Sequence, residues 1–271
     1  MRTIALMTMM LLAVGALLVA GCQKEEPINP WQEIQPGLSY VDSSLGQGEV
    51  ADATSFVSVN YTGYMWEADE DGKMGKGKVF DSNQGNAPIH FPLGAGWVIQ
   101  GWEKGLPDMA VGGKRSLLIE PELAYGAEGR PPVIPPDATL FFDVELVGLP
   151  KVQVEILEEG DGPVAEVGDR VSVEYTGWLW ENGAKGTQFD SSVPRGRPHQ
   201  FMLGMRQVIQ GWDRAIEGMK VGTRARLIIP PEMGYQDRGS GNNIPPNATL
   251  CFEIELTEIE GKGGDDGAAQ E

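Results

Sequence analysis

The chain has two histidines, His90 and His199, and neither sits in a motif with a serine or cysteine that it could activate. A hydrolytic nucleophile needs a base within hydrogen-bond reach, so protease chemistry is not expected. No group of Cys, His and carboxylate residues has metal-ligand spacing, and neither a metal nor a cofactor is implied. The glycines from Gly72 to Gly77 do not follow a phosphate-binding pattern and read as a surface hairpin. What recurs instead is a set of aromatic and branched aliphatic residues accompanied by one tyrosine and one aspartate. That set fits either two hydrophobic cores or two apolar pockets.

The elements that position these residues come from a duplication with a spacing of about 110 residues. Tyr61-Thr62-Gly63 returns as Tyr175-Thr176-Gly177, and Phe80-Asp81-Ser82 as Phe189-Asp190-Ser191. Val98-Ile99-Gln100-Gly101-Trp102 returns as Val208-Ile209-Gln210-Gly211-Trp212. Ile134-Pro135-Pro136 with Ala138-Thr139-Leu140 returns as Ile244-Pro245-Pro246 with Ala248-Thr249-Leu250. So long a period, present twice, implies two complete domains rather than a solenoid of small units.

Within each copy the apolar pattern has period two. Leu250, Phe252, Ile254 and Leu256 alternate with Cys251, Glu253, Glu255 and Thr257, which predicts a strand with one buried face and Cys251 directed away from the core. The exception is a short segment in which Val98, Trp102 and Leu106, and likewise Val208, Trp212 and Ile216, fall on one helical face. The fold class is therefore α+β, two domains that are each a twisted antiparallel sheet wrapped around one short helix. The first is expected over residues 36–149 and the second over 151–260, with only Pro150 and its neighbours between them, so relative motion should be restricted. Residues 261–271 are Gly- and Asp-rich and are expected to be disordered.

The start of the chain has a different purpose. Arg2, an apolar run from Ile4 to Ala20, and Val19-Ala20-Gly21-Cys22 have the layout of a secretory signal over residues 1–21. Its last four residues resemble the lipobox of bacterial lipoproteins, which implies acylation of Cys22 and a polar tether over 22–35. Each buried methylene of an acyl chain contributes about 0.8 kcal/mol, so several chains hold stably. The expected location is the bacterial cell envelope, on the periplasmic face of the outer membrane given Gln23 after the cysteine. With Cys22 acylated, Cys251 has no disulfide partner within the chain. A net charge of −18 with no clustered basic residues excludes nucleic acid as a partner.

Taken in order, Tyr-Thr-Gly, Phe-Asp-Ser, Phe-x-Leu-Gly, Val-Ile-x-Gly-Trp, a tyrosine in a flap, Ile-Pro-Pro and Ala-Thr-Leu-x-Phe resemble the FKBP family of prolyl isomerases. The resemblance covers nearly the whole of both copies. It implies a first pocket formed by Tyr61, Phe80, Asp81, Ile89, Phe91, Val98, Ile99, Trp102, Tyr125, Val133, Ile134 and Phe142. It implies a second formed by Tyr175, Phe189, Asp190, His199, Phe201, Val208, Ile209, Trp212, Tyr235, Ile244 and Phe252. Trp102 and Trp212 would be the floors, and the amides of Ile99 and Ile209 with the hydroxyls of Tyr125 and Tyr235 would hold substrate carbonyls. The implied partners are proline-containing, unfolded or partly folded exported proteins and macrolide ligands of the family.

Such pockets could isomerise X-Pro bonds without making a covalent bond. Rotation costs about 18 to 20 kcal/mol because amide resonance is lost at the twisted geometry. The planar amide is the more polar form, so an apolar enclosure disfavours it relative to the transition state. The copies depart from the family pattern unequally: Ile89 and His199 occupy a position that is often aromatic, and the second flap carries Gln236 and Asn243 where glycine and an apolar residue are usual. The first copy is thus expected to have the more ordinary specificity. A chaperone or scaffold that holds proline-containing segments with weak turnover, above all through the second copy, is the alternative.

Overall fold

The computed structural model describes residues 30–262. The signal segment, Cys22 and all but the first two residues of the acidic tail lie outside them.

The first half consists of β1 (Gln32–Gln35), β2 (Leu38–Leu45), β3 (Phe56–Ala68), β4 (Met74–Ser82), β5 (Ile89–Pro92), α1 (Gln100–Gly105), β6 (Gly113–Ile119) and β7 (Leu140–Gly148). The second consists of β8 (Gln153–Glu158), β9 (Arg170–Glu181), β10 (Ala184–Ser191), β11 (His199–Met202), α2 (Gln210–Ile216), β12 (Arg224–Ile229) and β13 (Leu250–Ile259). The strand order is β1-β2-β6-β7-β3-β4 with β5 on β3 in one sheet, and β10-β9-β13-β12-β8 with β11 on β9 in the other. All named pairings are antiparallel. The second sheet therefore repeats the first strand for strand, except that β1 has no counterpart.

Alternation produces the cores. Leu117 and Ile119 on β6, and Leu140, Phe142, Val144 and Leu146 on β7, are buried beneath α1 with Trp102 and Leu106. Leu227, Ile229, Leu250, Phe252, Ile254 and Leu256 do the same beneath α2. The helices press close to the sheets, which explains the recurring Gln-Gly-Trp. A Cβ on Gly101 would stand 2.5 Å from Ile119, and one on Gly211 would stand 2.4 Å from Ile229. No side chain fits at that separation.

Several expectations differ from the structure. Gln32–Gln35 belong to a strand that pairs with β2 rather than to a tether, because Tyr40 Oη donates to Gln32 and Trp31 packs edge-on against Phe141 at 6.0 Å. Val98 precedes α1 instead of lying on it, since Ile99 is the residue before the first helical turn and is extended. Cys251 lies on the far face of β13 as alternation requires, yet it is fully buried, because that face is covered beside Trp178 and Ile228. The start of the tail is held too: Lys262 pairs with Asp169 at 2.9 Å and with Glu166.

The two halves touch through more than the Leu149–Val152 connection. Phe56, at the start of β3, is buried in the core of the second half. Arg214 on α2 donates to the carbonyl of Thr54 at 2.7 Å, and Lys151 pairs with Glu49.

Candidate active sites

In the first half the duplicated motifs meet at one cavity of about 530 Å³, lined by Tyr61, Phe80, Asp81, Ile89, Val98, Ile99, Trp102, Tyr125 and Phe142 together with Trp97, Gln100, Ala124 and Arg130. Its volume is that of a small-ligand site. β3 supplies Tyr61, β4 supplies Phe80 and Asp81, β7 supplies Phe142, and the turn after β6 supplies Tyr125. Trp102 is buried at the floor, with ring centroids 5.0 Å from Tyr61 and 5.2 Å from Phe142, both edge-on. Phe80 meets Phe142 edge-on at 5.5 Å. The glycine of Tyr-Thr-Gly is required here, because a Cβ on Gly63 would come within 2.7 Å of Phe80 and 2.9 Å of Phe142.

The second half repeats this arrangement. Trp212 lies 4.9 Å from Tyr175 and 5.2 Å from Phe252, and Phe189 lies 5.4 Å from Phe252. His199 stacks on Phe201 at 5.6 Å and meets Trp212 edge-on at 6.3 Å. Val208 and Ile209 pack on the same core. Neither indole N–H, of Trp102 or of Trp212, has a hydrogen-bond partner among the described residues.

Some residues implied by the resemblance lie elsewhere. Phe91 sits beneath Trp102 at 5.7 Å in the core, with Ile134 likewise buried, and Phe201 and Ile244 are their counterparts. Val133 is 52% exposed and does not line the first cavity, because its turn directs only the next residue inward. Tyr235 is 36% exposed on its flap. Trp97 and Arg130, which line the first cavity, have Gln207 and Ser240 at the matching positions, so the duplication did not mark them.

The polar end differs between the halves. Tyr61 donates to Asp81 at 2.7 Å, and Asp81 accepts the Ser82 amide at 2.9 Å, so the aspartate braces its turn and the cavity tyrosine together. Burial first, and then this carboxylate, push the Tyr61 phenol well above its ordinary range. Tyr175 donates to Asp190 in the same way, but Arg195 joins them, donating to Tyr175 Oη at 2.6 Å and pairing with Asp190 at 3.0 Å. Burial and Asp190 push Tyr175 up to about 12, with Arg195 opposing them. Burial also opposes ionisation of Asp190, but hydrogen bonds from Tyr175, the Ser191 amide and Arg195 outweigh it and lower its pKa. The signal in the sequence was one extra residue between Ser191 and Phe201 relative to Ser82 and Phe91.

The flaps differ in backbone chemistry. Gly126 after Tyr125 has φ +58°, and Gln236 after Tyr235 has φ +54°. A left-handed conformation suits glycine and strains glutamine.

A family model for FKBP-type peptidyl-prolyl cis-trans isomerase matches residues 47–147 and again 162–257. Peptidyl-prolyl cis-trans isomerase FKBP10 of Homo sapiens is 36% identical over 211 residues, which is 75% of this chain. The chain spans about a third of the length of such relatives, 34% in that protein. An FK506-binding protein of Neisseria meningitidis is 52% identical over 106 residues, 39% of this chain and 94% of that protein. Among solved structures, the three FKBP domains of wheat FKBP73 give a TM-score of 0.41 at 28% identity, covering 85% of this chain and 99% of that one. The chain belongs to the FKBP-type peptidyl-prolyl cis-trans isomerase family and carries the family's domain twice in tandem.

Proposed function

We propose that this chain accelerates X-Pro isomerisation in exported proteins through two cavities of unequal character, held at the bacterial cell envelope by a lipid on Cys22. The observation that carries the first part is the Tyr61, Trp102 and Phe142 enclosure, with its counterpart of Tyr175, Trp212 and Phe252. Apolar walls disfavour the polar planar amide, and fixed donors at the rim orient its carbonyls. Ile99 and Tyr125 are the donors in the first site, and Ile209 and Tyr235 in the second. No nucleophile or metal is needed. Tenfold acceleration requires only about 1.4 kcal/mol of differential stabilisation.

Proline-limited refolding and Leu-Pro peptide isomerisation, measured on the full chain, test this. Trp102→Leu with Trp212→Leu should remove at least tenfold of the acceleration, whereas undiminished turnover in the double variant would sink the proposal. A family macrolide should compete with the peptide.

The strained Gln236 flap and the exposed Tyr235 favour a second reading for the second site, as a holder of proline-containing segments with weak turnover. In that case Trp102→Leu alone abolishes turnover, while suppression of client aggregation persists until Trp212 is also changed. The anchor rests on the lipobox-like Val19-Ala20-Gly21-Cys22, and Gln23 favours the outer membrane. Mass spectrometry of the mature N-terminus should find acylated Cys22, and Cys22→Ser should release the protein from membranes.

A further inference from the structure

We propose that the cleft between the two domains is an extension of the first site, which receives the substrate chain flanking the proline and selects a lysine or arginine in it. This rests on the isomerase reading of the first site. The cleft has a volume of about 890 Å³, against about 530 Å³ for the first cavity, and Ile89 lines both. Substrate leaving the first cavity past Ile89 therefore enters the cleft directly. An extended chain advances about 3.3 to 3.6 Å per residue, so it is residues flanking the proline that reach the cleft.

The far wall belongs to the second domain and comes from its flap. It presents Glu232, Gln236, Asp237 and Arg238, opposite His90 of β5. His90 Nδ1 bonds Ser58 Oγ at 2.7 Å, and burial holds the imidazole below its ordinary pKa despite the two carboxylates across the cleft. Two carboxylates against one guanidinium leave the cleft acidic, while in the adjoining first cavity Asp81 is balanced by Arg130. The two domains that wall the cleft are tied to each other by contacts outside it. Arg206 lies over Trp97 of the first cavity, and Arg214 reaches the Thr54 carbonyl. A cationic side chain next to the X-Pro step finds partners here, and an anionic one is repelled.

The test uses the full chain and three peptides: a Leu-Pro tetrapeptide, and two twelve-residue peptides with the same Leu-Pro core and either lysines or glutamates on both flanks. Isomerisation by exchange spectroscopy and Kd by calorimetry are both measured. The lysine peptide should be preferred about fivefold or more at low salt, as two exposed pairs permit, and less at high salt. Glu232→Gln with Asp237→Asn should bring the ratio near one. Glu70→Gln with Asp71→Asn, the same charge change on the β3–β4 hairpin, should leave it standing. Equal treatment of the two long peptides, or equal collapse in the hairpin variant, overturns the cleft proposal. Failure to turn over the tetrapeptide overturns the isomerase reading instead, and the Kd ratio still decides the cleft.

Discussion

The guanidinium carbon of Arg206 lies 3.4 Å from the ring centroid of Trp97, so a loop of the second domain covers a wall residue of the first domain's cavity. Arg206 can reach because its backbone is left-handed, φ +58°, and because the loop is pinned by buried Asp213, whose Oδ1 accepts the Gly204 amide at 2.8 Å. The first domain has the same brace, with Glu103 accepting the amides of Gly94 and Gly96 at 2.5 and 2.9 Å. Arg206→Ala should lose about 0.5 to 2 kcal/mol of cation–π attraction. Turnover at the first site should fall by a few fold, with partial rescue by Arg206→Lys. Unchanged tryptophan emission and unchanged turnover would show that the contact positions nothing.

Gln236 occupies the left-handed position that Gly126 occupies in the other flap. Gln236→Gly should relieve about 1 kcal/mol of backbone strain, partly offset by loss of the side-chain bond to the Glu232 carbonyl at 3.2 Å. Chemical denaturation should show a more stable second domain, and turnover at the second site should rise if the strained flap limits it.

Arg115 and Asp42 form a pair that is almost fully buried, with Nε 2.7 Å from Oδ1, and Arg115 also bonds the carbonyl of Gly105 at the end of α1. The matching residues of the second domain are Ala225 and Ile156, which face each other between β12 and β8. Arg115→Ala should destabilise the first domain by about 3 to 5 kcal/mol, because it removes the cation from a buried carboxylate. Arg115→Met with Asp42→Leu should recover most of that loss in thermal unfolding.

Burial lowers the pKa of both His90 and His199 below the unfolded value. The unfolded chain then binds more protons than the folded one once pH drops below about 6.5, so stability is present above that pH and falls as pH decreases toward the folded pKa values. The depressed carboxylates Asp190 and Glu253 act only below about pH 4. Denaturation midpoints should therefore decline between about pH 7 and 5, and His90→Asn with His199→Asn should flatten that window. A slope that survives the double variant would assign it to other groups.

Much of each site was legible because duplication repeats what packing requires. Gly63 and Gly177 leave room for paired phenylalanines, and Gly101 and Gly211 let the helices touch the sheets, so these spacings survive in both copies. Val133 was misplaced because adjacent residues of a turn face opposite ways, and motif order says nothing about facing. Trp97 and Arg130 escaped notice because each occurs in one copy only, and Arg195 because its one sequence signal, an extra residue before Phe201, does not say which side chain turns toward the site.

By itself the sequence determined the period-two strands, the short helix of each copy, and the family whose aromatic motifs it carries twice, since these follow from local spacing and the volume of neighbouring side chains. Tertiary structure alone decided that Arg206 meets Trp97 and that the flap carboxylates of one domain face Ile89 of the other. Those groups lie more than a hundred residues apart in the chain, and the packing of Phe56 into the second core, the Arg214 bond to the Thr54 carbonyl and the short Leu149–Val152 connection together set the distance between them.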